Sequence, residues 1–328
     1  MIRFGIIGTN TITEKMLEAA SHLEDFQLTA VYSRTEEKAK EFAGRKGAAL
    51  TFTSVEDLAK SEEVDAVYIA SPNSFHAEQA IICMSNGKHV LCEKPMASNE
   101  QETAAMIAAA QHHGVLLMEA VKSTLHPGFA YVQENLHKIG PIRRYTGNFC
   151  KYSSRYDAYK EGTILNAFNP EFSNGSIMDL GVYGLYPMVV LFGQPQAIKA
   201  NGVPLESGVD GEGSILAQYE EMEGVVMHSK IIHSYAPSEI QGEKAAIIIP
   251  NISEPSDVTI RYNDGKTEAF DSSQLYPPMH YEIKEFIQLI LNGDKQSNVN
   301  SHRASLITAS ILDRAREQMG IVFPADQK

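Results

Sequence analysis

Ile2-Arg3-Phe4-Gly5-Ile6-Ile7-Gly8-Thr9-Asn10-Thr11-Ile12-Thr13 opens the chain with a short apolar run, a glycine turn and the start of a helical pattern. An apolar run of this length reads as a strand buried on both faces. The next helix is predicted over residues 13–23, with Met16, Leu17, Ala20 and Leu23 on one face. A glycine turn between a strand and a helix is where a dinucleotide-binding fingerprint sits. Gly8 takes the tight-turn position, while Asn10 and Thr13 stand where the second and third glycines belong. Asn tolerates unusual backbone angles, yet it brings a side chain toward a pyrophosphate. In isolation the turn also fits an ordinary strand–helix corner, so its surroundings decide.

Those surroundings repeat the pattern. Strands are predicted at residues 28–32, 49–52, 65–70, 88–92 and 115–120, with helices between them. Thr35 reads as an N-cap, and Ser54 with Asp57 and Ser98 with Gln101 read as capping boxes. Gly87 and Gly114 read as helix stops. Strands alternating with helices predict βαβ units and a parallel, doubly wound sheet, hence a Rossmann domain over residues 1–122. The rhythm then changes. A helix at 127–136 precedes strands at 142–150, 197–202, 213–219, 224–233, 245–249 and 258–262, several of them alternating apolar and polar residues. That is the mark of an open, largely antiparallel sheet. Two helices, 281–292 and 302–319, close the chain, and residues 250–256 read as a surface loop. The expected class is α/β. An N-terminal Rossmann domain is joined to a C-terminal α/β domain, 123–328, for substrate binding and dimerisation. The last helix has the option of packing back on the first domain.

Bulk properties narrow the function. The 328 residues exceed what one core usually covers, which favours two domains. With 41 acidic against 28 basic side chains the net charge is −13, which argues against nucleic acid as a partner. Cys83, Cys92 and Cys150 are widely spaced and form no CxxC pair, so they read as reduced thiols. No Cys/His cluster or HExxH pattern appears, and no metal is expected. His112 and His113 suit a helix C-terminus. No apolar run is read as approaching the roughly 20 residues of a membrane span, and no leader pattern opens the sequence. The expected location is cytoplasmic, away from any membrane.

The cofactor is read at the end of the second strand. Tyr32-Ser33-Arg34 carries no carboxylate for a ribose 2′-hydroxyl. Arg34, with Lys38 one turn on, offers cations for a 2′-phosphate, so NADP is expected over NAD. The alternative is that both are ordinary surface cations. Gly8, Thr9, Asn10, Thr11 and Ile12 form the turn expected to face the pyrophosphate. Ser33, Ser71-Pro72-Asn73 and His76 after the fourth strand, and Glu93-Lys94 after the fifth, complete the cofactor set. They follow strand ends, where ligands of open α/β sheets bind. Lys122 and His126-Pro127 follow the sixth strand, where substrate contacts could lie. Further on, Asn174-Gly175-Ser176-Ile177-Met178-Asp179-Leu180-Gly181-Val182-Tyr183 sets a carboxylate and a phenol four residues apart, on one helix face. A plainly packed tyrosine and a capping or surface acid are the bland readings of that pair.

The first turn, Ser71-Pro72-Asn73, Glu93-Lys94-Pro95, Met118-Glu119-Ala120 and Asp179-x-Gly-x-Tyr183 together resemble the Gfo/Idh/MocA family of oxidoreductases, over most of the chain. Tyr183 looks most like the dihydrodiol dehydrogenase and glucose–fructose oxidoreductase branch; inositol dehydrogenases typically carry histidine there. The resemblance implies hydride exchange between a nicotinamide and a carbon of a small sugar, cyclitol or diol. It also implies a homodimer or homotetramer through the open sheet. Lys94, Tyr183 and Asp179 become the catalytic set: Lys94 between cofactor and substrate, Tyr183 exchanging the proton. The chemistry agrees, because a phenol with a pKa of about 10 becomes a better base beside an ammonium. Asp179 would orient Lys94 or bind a substrate hydroxyl. A second reading is a non-catalytic, dinucleotide-sensing regulator on the same fold. Asn10 favours it, whereas the presence of both Lys94 and Tyr183 argues against it.

Overall fold

The computed structural model describes residues 1–272 and 275–327. The chain divides into two compact units, Met1–Ala120 with Tyr276–Leu306, and Val121–Leu275 with Ile307–Lys328.

In the first unit β1 (Ile2–Ile7), α1 (Thr11–Ala20), β2 (Phe26–Tyr32), α2 (Glu36–Lys46), β3 (Leu50–Phe52) and α3 (Val55–Lys60) are followed by β4 (Ala66–Ile69), α4 (His76–Ser85), β5 (His89–Glu93), α5 (Glu100–His113) and β6 (Leu117–Ala120). The strands pair in parallel in the order β3-β2-β1-β4-β5-β6. All four residues of β4 are buried, as its continuous apolar run requires when both faces are covered, and β6 is buried throughout as well, Glu119 included. The order reverses between β1 and β4, which creates a crevice at the carboxyl ends of those strands. Ser54 caps α3, its hydroxyl accepting from the Asp57 N–H at 3.1 Å. The cap of α5 is Asn99 rather than Ser98. Asn99 takes the extended backbone that a cap needs and accepts from the Glu102 N–H at 2.8 Å. Glu102 in turn accepts from the Ser98 N–H at 3.0 Å, so the N3 side chain reaches back to the residue before the cap rather than to the cap itself.

The second unit contains α6 (Lys122–Leu125), α7 (Pro127–Asn135), β7 (Ile142–Cys150), α8 (Tyr156–Lys160), a π-helical turn Ile177–Gly181 running into α9 (Val182–Phe192), and β8 (Ala197–Pro204). After it come β9 (Asp210–Gln218), β10 (Glu223–Ser229), β11 (Ser238–Gly242), β12 (Ala245–Ile249), β13 (Asp257–Tyr262) and β14 (Thr267–Asp271). The sheet order is β14-β13-β12-β11-β7-β10-β9-β8, antiparallel except between β7 and β10. Two strands lie outside the sequence expectation. β11 turns only one large apolar side chain, Ile240, inward, and the edge strand β14 has no buried residue. β10 ends at Ser229, four residues before the expected limit. Residues 250–256 are not a soft surface loop: Ile252 and Ser253 are buried. The Pro255 carbonyl oxygen lies 1.6 Å from where a side chain on Gly128 would begin, so the segment packs tightly under α7. The stretch Pro170–Phe192 is long and apolar enough to cross a membrane, contrary to the expectation that no run approaches that length. Of its most apolar window, 72% is buried inside the protein, as suits a core helix.

α10 (His280–Asn292) belongs to the first unit, where Phe286 packs against Phe4 with ring centroids 6.0 Å apart. α11 (His302–Met319) begins in that unit. There Asn300 donates to the Glu119 carbonyl, and the His302 ring lies 3.0 Å from the Leu117 carbonyl.

Candidate active site

The β1–α1 turn is held from three directions. Gly8 has φ +110°, and a Cβ there would meet the Ala70 carbonyl oxygen at 2.6 Å, so no other residue fits. Asn10 is the N-cap of α1; its Oδ1 accepts from the Ile12 and Thr13 N–H groups at 3.1 and 3.2 Å. Its Nδ2 donates to the Ala70 carbonyl at 2.7 Å, tying the turn to the end of β4. Thr13 is fully buried and donates its hydroxyl to the Gly8 carbonyl at 2.9 Å. The two departures from the glycine fingerprint thus brace the turn from inside. Thr9 is half-buried and Thr11 exposed on the same turn.

The other expected cofactor residues follow the carboxyl ends of neighbouring strands. Ser33 is buried, and Arg34 and Lys38 are exposed where β2 gives way to α2. Ser71, Pro72 and Asn73 are half-buried after β4. His76 is buried, with ring nitrogens 2.9 Å from the Ser71 carbonyl and 3.1 Å from that of Pro95, and burial lowers its pKa. It ties the loop after β4 to the loop after β5. Glu93 is buried and accepts from the Tyr68 hydroxyl at 2.6 Å, while Lys94 is half-buried beside it. Beneath the same loop, buried Glu119 accepts from the Met96 N–H at 2.9 Å and from the Ser305 hydroxyl. Burial pushes its carboxyl up to about 7.

In the second unit Asp179 lies in the π-helical turn and Tyr183 in the first turn of α9. A π turn in place of α winding is a frequent feature of functional sites. Asp210, on β9, caps this helix from a distance: its Oδ2 accepts from the Ile177 N–H at 2.7 Å. Gly175, with φ +138°, makes room for that carboxylate; a Cβ there would lie 2.3 Å from Asp210 Oδ1. Burial pushes Asp210 up to about 6 and drives neighbouring His228 down to about 3. His228 is therefore neutral, its Nδ1 3.0 Å from the Ser176 hydroxyl. Lys230, just past β10, pairs with Asp179 at 2.9 Å. Tyr183 is 8% exposed, its ring edge-on to Phe149 with centroids 5.4 Å apart.

Other candidates also have partners within the second unit. His126 is buried and caps α7, accepting from the Gly128 N–H at 3.3 Å, and burial lowers its pKa to about 4. Lys122 pairs with Glu254. Among the described residues no group of three or more His, Cys, Asp or Glu is gathered to hold a metal. An open groove of about 690 Å³ along α1 is lined by Glu14, Lys15, Glu18 and Arg45, and shares only Thr11 with the residues above. Sequence reading passed over Lys230, Asp210 and the buried role of Glu119. The available signal was a lysine inside a segment read as a strand, at residues 224–233.

A doubly wound parallel sheet with this turn at its switch point defines a dinucleotide-binding fold. The profile of an oxidoreductase family with an NAD-binding Rossmann fold matches residues 2–121. The chain is 56% identical, over the full length of both proteins, to scyllo-inositol 2-dehydrogenase (NADP(+)) IolU of Bacillus subtilis. It is 31% identical to trans-1,2-dihydrobenzene-1,2-diol dehydrogenase of Xenopus laevis, covering 98% of this chain and 99% of the relative. Among solved structures, KijD10, a 3-ketoreductase from Actinomadura kijaniata in complex with NADP, superposes with a TM-score of 0.84 at 25% identity, over 97% of this chain and 98% of that one. The chain belongs to the Gfo/Idh/MocA family of oxidoreductases.

Proposed function

We propose that the protein interconverts a ring secondary alcohol and its ketone on a cyclic polyol of the inositol type, with NADP as the redox partner. The observation that carries this reading is the 56% identity over the whole chain to an NADP-dependent scyllo-inositol 2-dehydrogenase. The cofactor side of the site fits a dinucleotide. Gly8 lets the β1–α1 turn close against the end of β4, at the strand switch point where a pyrophosphate binds, and exposed Arg34 and Lys38 follow β2 with no acid at residues 32–34. When bound, NADP accepts the hydride on oxidation and returns it on reduction. The remaining work belongs to the chain. As the alcohol carbon loses its hydride, the hydroxyl proton passes to Tyr183 and the C–O bond becomes a carbonyl; reduction reverses both transfers. In this reading Lys94 supplies the ammonium that favours the phenolate and helps to hold the cofactor. Asp179 accepts from a substrate hydroxyl. The protein is also proposed to assemble as a homodimer or homotetramer through the outer face of its eight-stranded sheet.

The test follows the reduced-nicotinamide absorbance with inositol isomers, aldoses and a dihydrodiol as substrates. Inositols are expected to give the highest kcat/KM. Tyr183→Phe should lower turnover by about 10²–10⁴-fold while NADP affinity holds. Lys94→Ala should lower both. Absence of turnover on every substrate, with NADP still bound, would instead support the regulator reading. Wild-type turnover in Tyr183→Phe would remove the proton-transfer assignment.

A further inference from the structure

Lys230 follows β10 directly and is 2% exposed. Its ammonium donates to the Ala167 carbonyl and to Asn174 Oδ1, each at 3.0 Å, and pairs with Asp179 Oδ2 at 2.9 Å. These three acceptors match the three protons of an ammonium. The Phe168 ring lies against the cation, its centroid 5.5 Å from Nζ. The Asp179 side chain, by contrast, is 39% exposed. The pair is therefore sealed at its lysine end and open at its carboxylate end.

An ammonium buried to this extent gives up hydration that only good geometry recovers. An apolar side chain of similar length would fill the space beside Phe168 without that cost. What it would not do is hold a carboxylate, ionised and in one orientation, on the turn that leads into Tyr183. The rest of the turn is braced to the same end. Asn174 meets Lys230 just before it, Asp210 caps its first residue, and its π winding sets the direction of Asp179. His228, packed against Ser176, is held neutral by burial and adds no charge.

We propose that Lys230 is a positioning residue for hydride transfer, fixing the Asp179 carboxylate so that it accepts from a substrate hydroxyl. This rests on the reading above that Asp179 and Tyr183 meet the substrate. The test measures kcat, KM and the pH profile of kcat/KM for Lys230→Met, Lys230→Arg and Asp179→Asn, beside NADP affinity and a thermal melt. Lys230→Met should lower kcat/KM by roughly ten- to hundred-fold, the usual scale for a misplaced contact. NADP affinity should be unchanged. The acidic limb of the profile should move up by about one pH unit or more, because the carboxylate loses its cation. Lys230→Arg keeps the charge and should recover most of the loss, with the limb back in place. Should Lys230→Met fail to fold, Lys230→Gln, which still donates to Ala167 and Asn174, is read by the same criteria. Wild-type kcat/KM and an unmoved limb in Lys230→Met, beside a clear loss in Asp179→Asn, overturns the proposal and leaves the site reading standing. Wild-type turnover in both Asp179→Asn and Tyr183→Phe overturns the site reading itself.

Discussion

Arg34 is the residue on which cofactor choice is proposed to turn. It is exposed at the end of β2, where an enzyme built for NAD would place an acid. A guanidinium bonded to a phosphate contributes about 1.5–3 kcal/mol, so Arg34→Ala should weaken NADP binding by roughly ten- to a hundred-fold. NAD lacks that phosphate, and its affinity should hardly move. Fluorescence titration with both dinucleotides checks this, and equal losses would remove the phosphate role. Glu119 makes a different prediction. Burial raises its carboxyl from 4.5 to about 7, so the folded protein binds this proton more tightly than the unfolded chain does. The stabilisation is complete below the unfolded value near 4.5 and is lost as pH rises through about 7. Glu119→Gln should flatten this part of the stability profile, by up to about 3 kcal/mol. Urea melts of both proteins at about pH 4.5 and about pH 8 measure it, and identical pH slopes would refute it. At this scale the sequence is uneven to read. Gly8 is legible once the strand–helix repeat around it is read, because a fingerprint glycine belongs at that turn. Lys230 does not: its importance comes from Asn174, Ala167 and Asp179, brought to it across 51 to 63 positions of chain (230 − 179 and 230 − 167).

Helix α1 shows how an element absorbs a departure from its motif. Asn10 supplies a cap and a tie to β4, and Thr13 turns its hydroxyl inward, so two missing glycines become three side-chain hydrogen bonds to backbone within the turn and one across to Ala70. Asn10→Ala should cost about 0.5–2 kcal/mol of stability, as N-cap losses do. The turn is proposed to face the pyrophosphate, so NADP affinity should fall with it. A thermal melt and a titration test the two together; an unchanged melt would show that the cap contributes nothing. Elements with both faces covered, such as β1 and β4, were legible because burial on both sides writes an unbroken apolar run. β11 and β14 were not, since a strand with one or no inward apolar side chain leaves no periodic trace. The α5 cap was misplaced by one residue because Ser98 and Asn99 are both good caps, and only the backbone angle separates them.

For the molecule as a whole, the outer face of the eight-stranded sheet is the surface proposed to pair with a second copy. Leu216 is 50% exposed on β9 and stands opposite Val225 of β10, which in turn stands beside Thr146 of β7. Met227 and Ile248, half-buried, share that face. A broad sheet face carrying apolar side chains is a natural self-association surface. Light scattering should give two or four times the chain mass of 36.1 kDa. Leu216→Arg with Val225→Glu should give the single-chain mass with the fold intact; a wild-type mass near 36.1 kDa at micromolar concentration would refute the assembly. The α/β class and the change of sheet type near residue 120 could be read from pattern alone. The option of packing back was read for the last helix, of which only the start lies in the first unit; the return of residues 276–301 could not be read, because it depends on contacts such as Phe286 on Phe4. That return has a consequence for biosynthesis. A ribosome releases the six strands of the first sheet long before it releases α10, with more than 150 residues of the other unit in between (121 to 275). Until then the nascent sheet lacks the helix that covers Phe4, and a parallel sheet is stable only with both faces covered. The first part of the chain to be translated is thus among the last to be finished. A chain that stalls in the second unit leaves an uncovered apolar face for chaperones to guard.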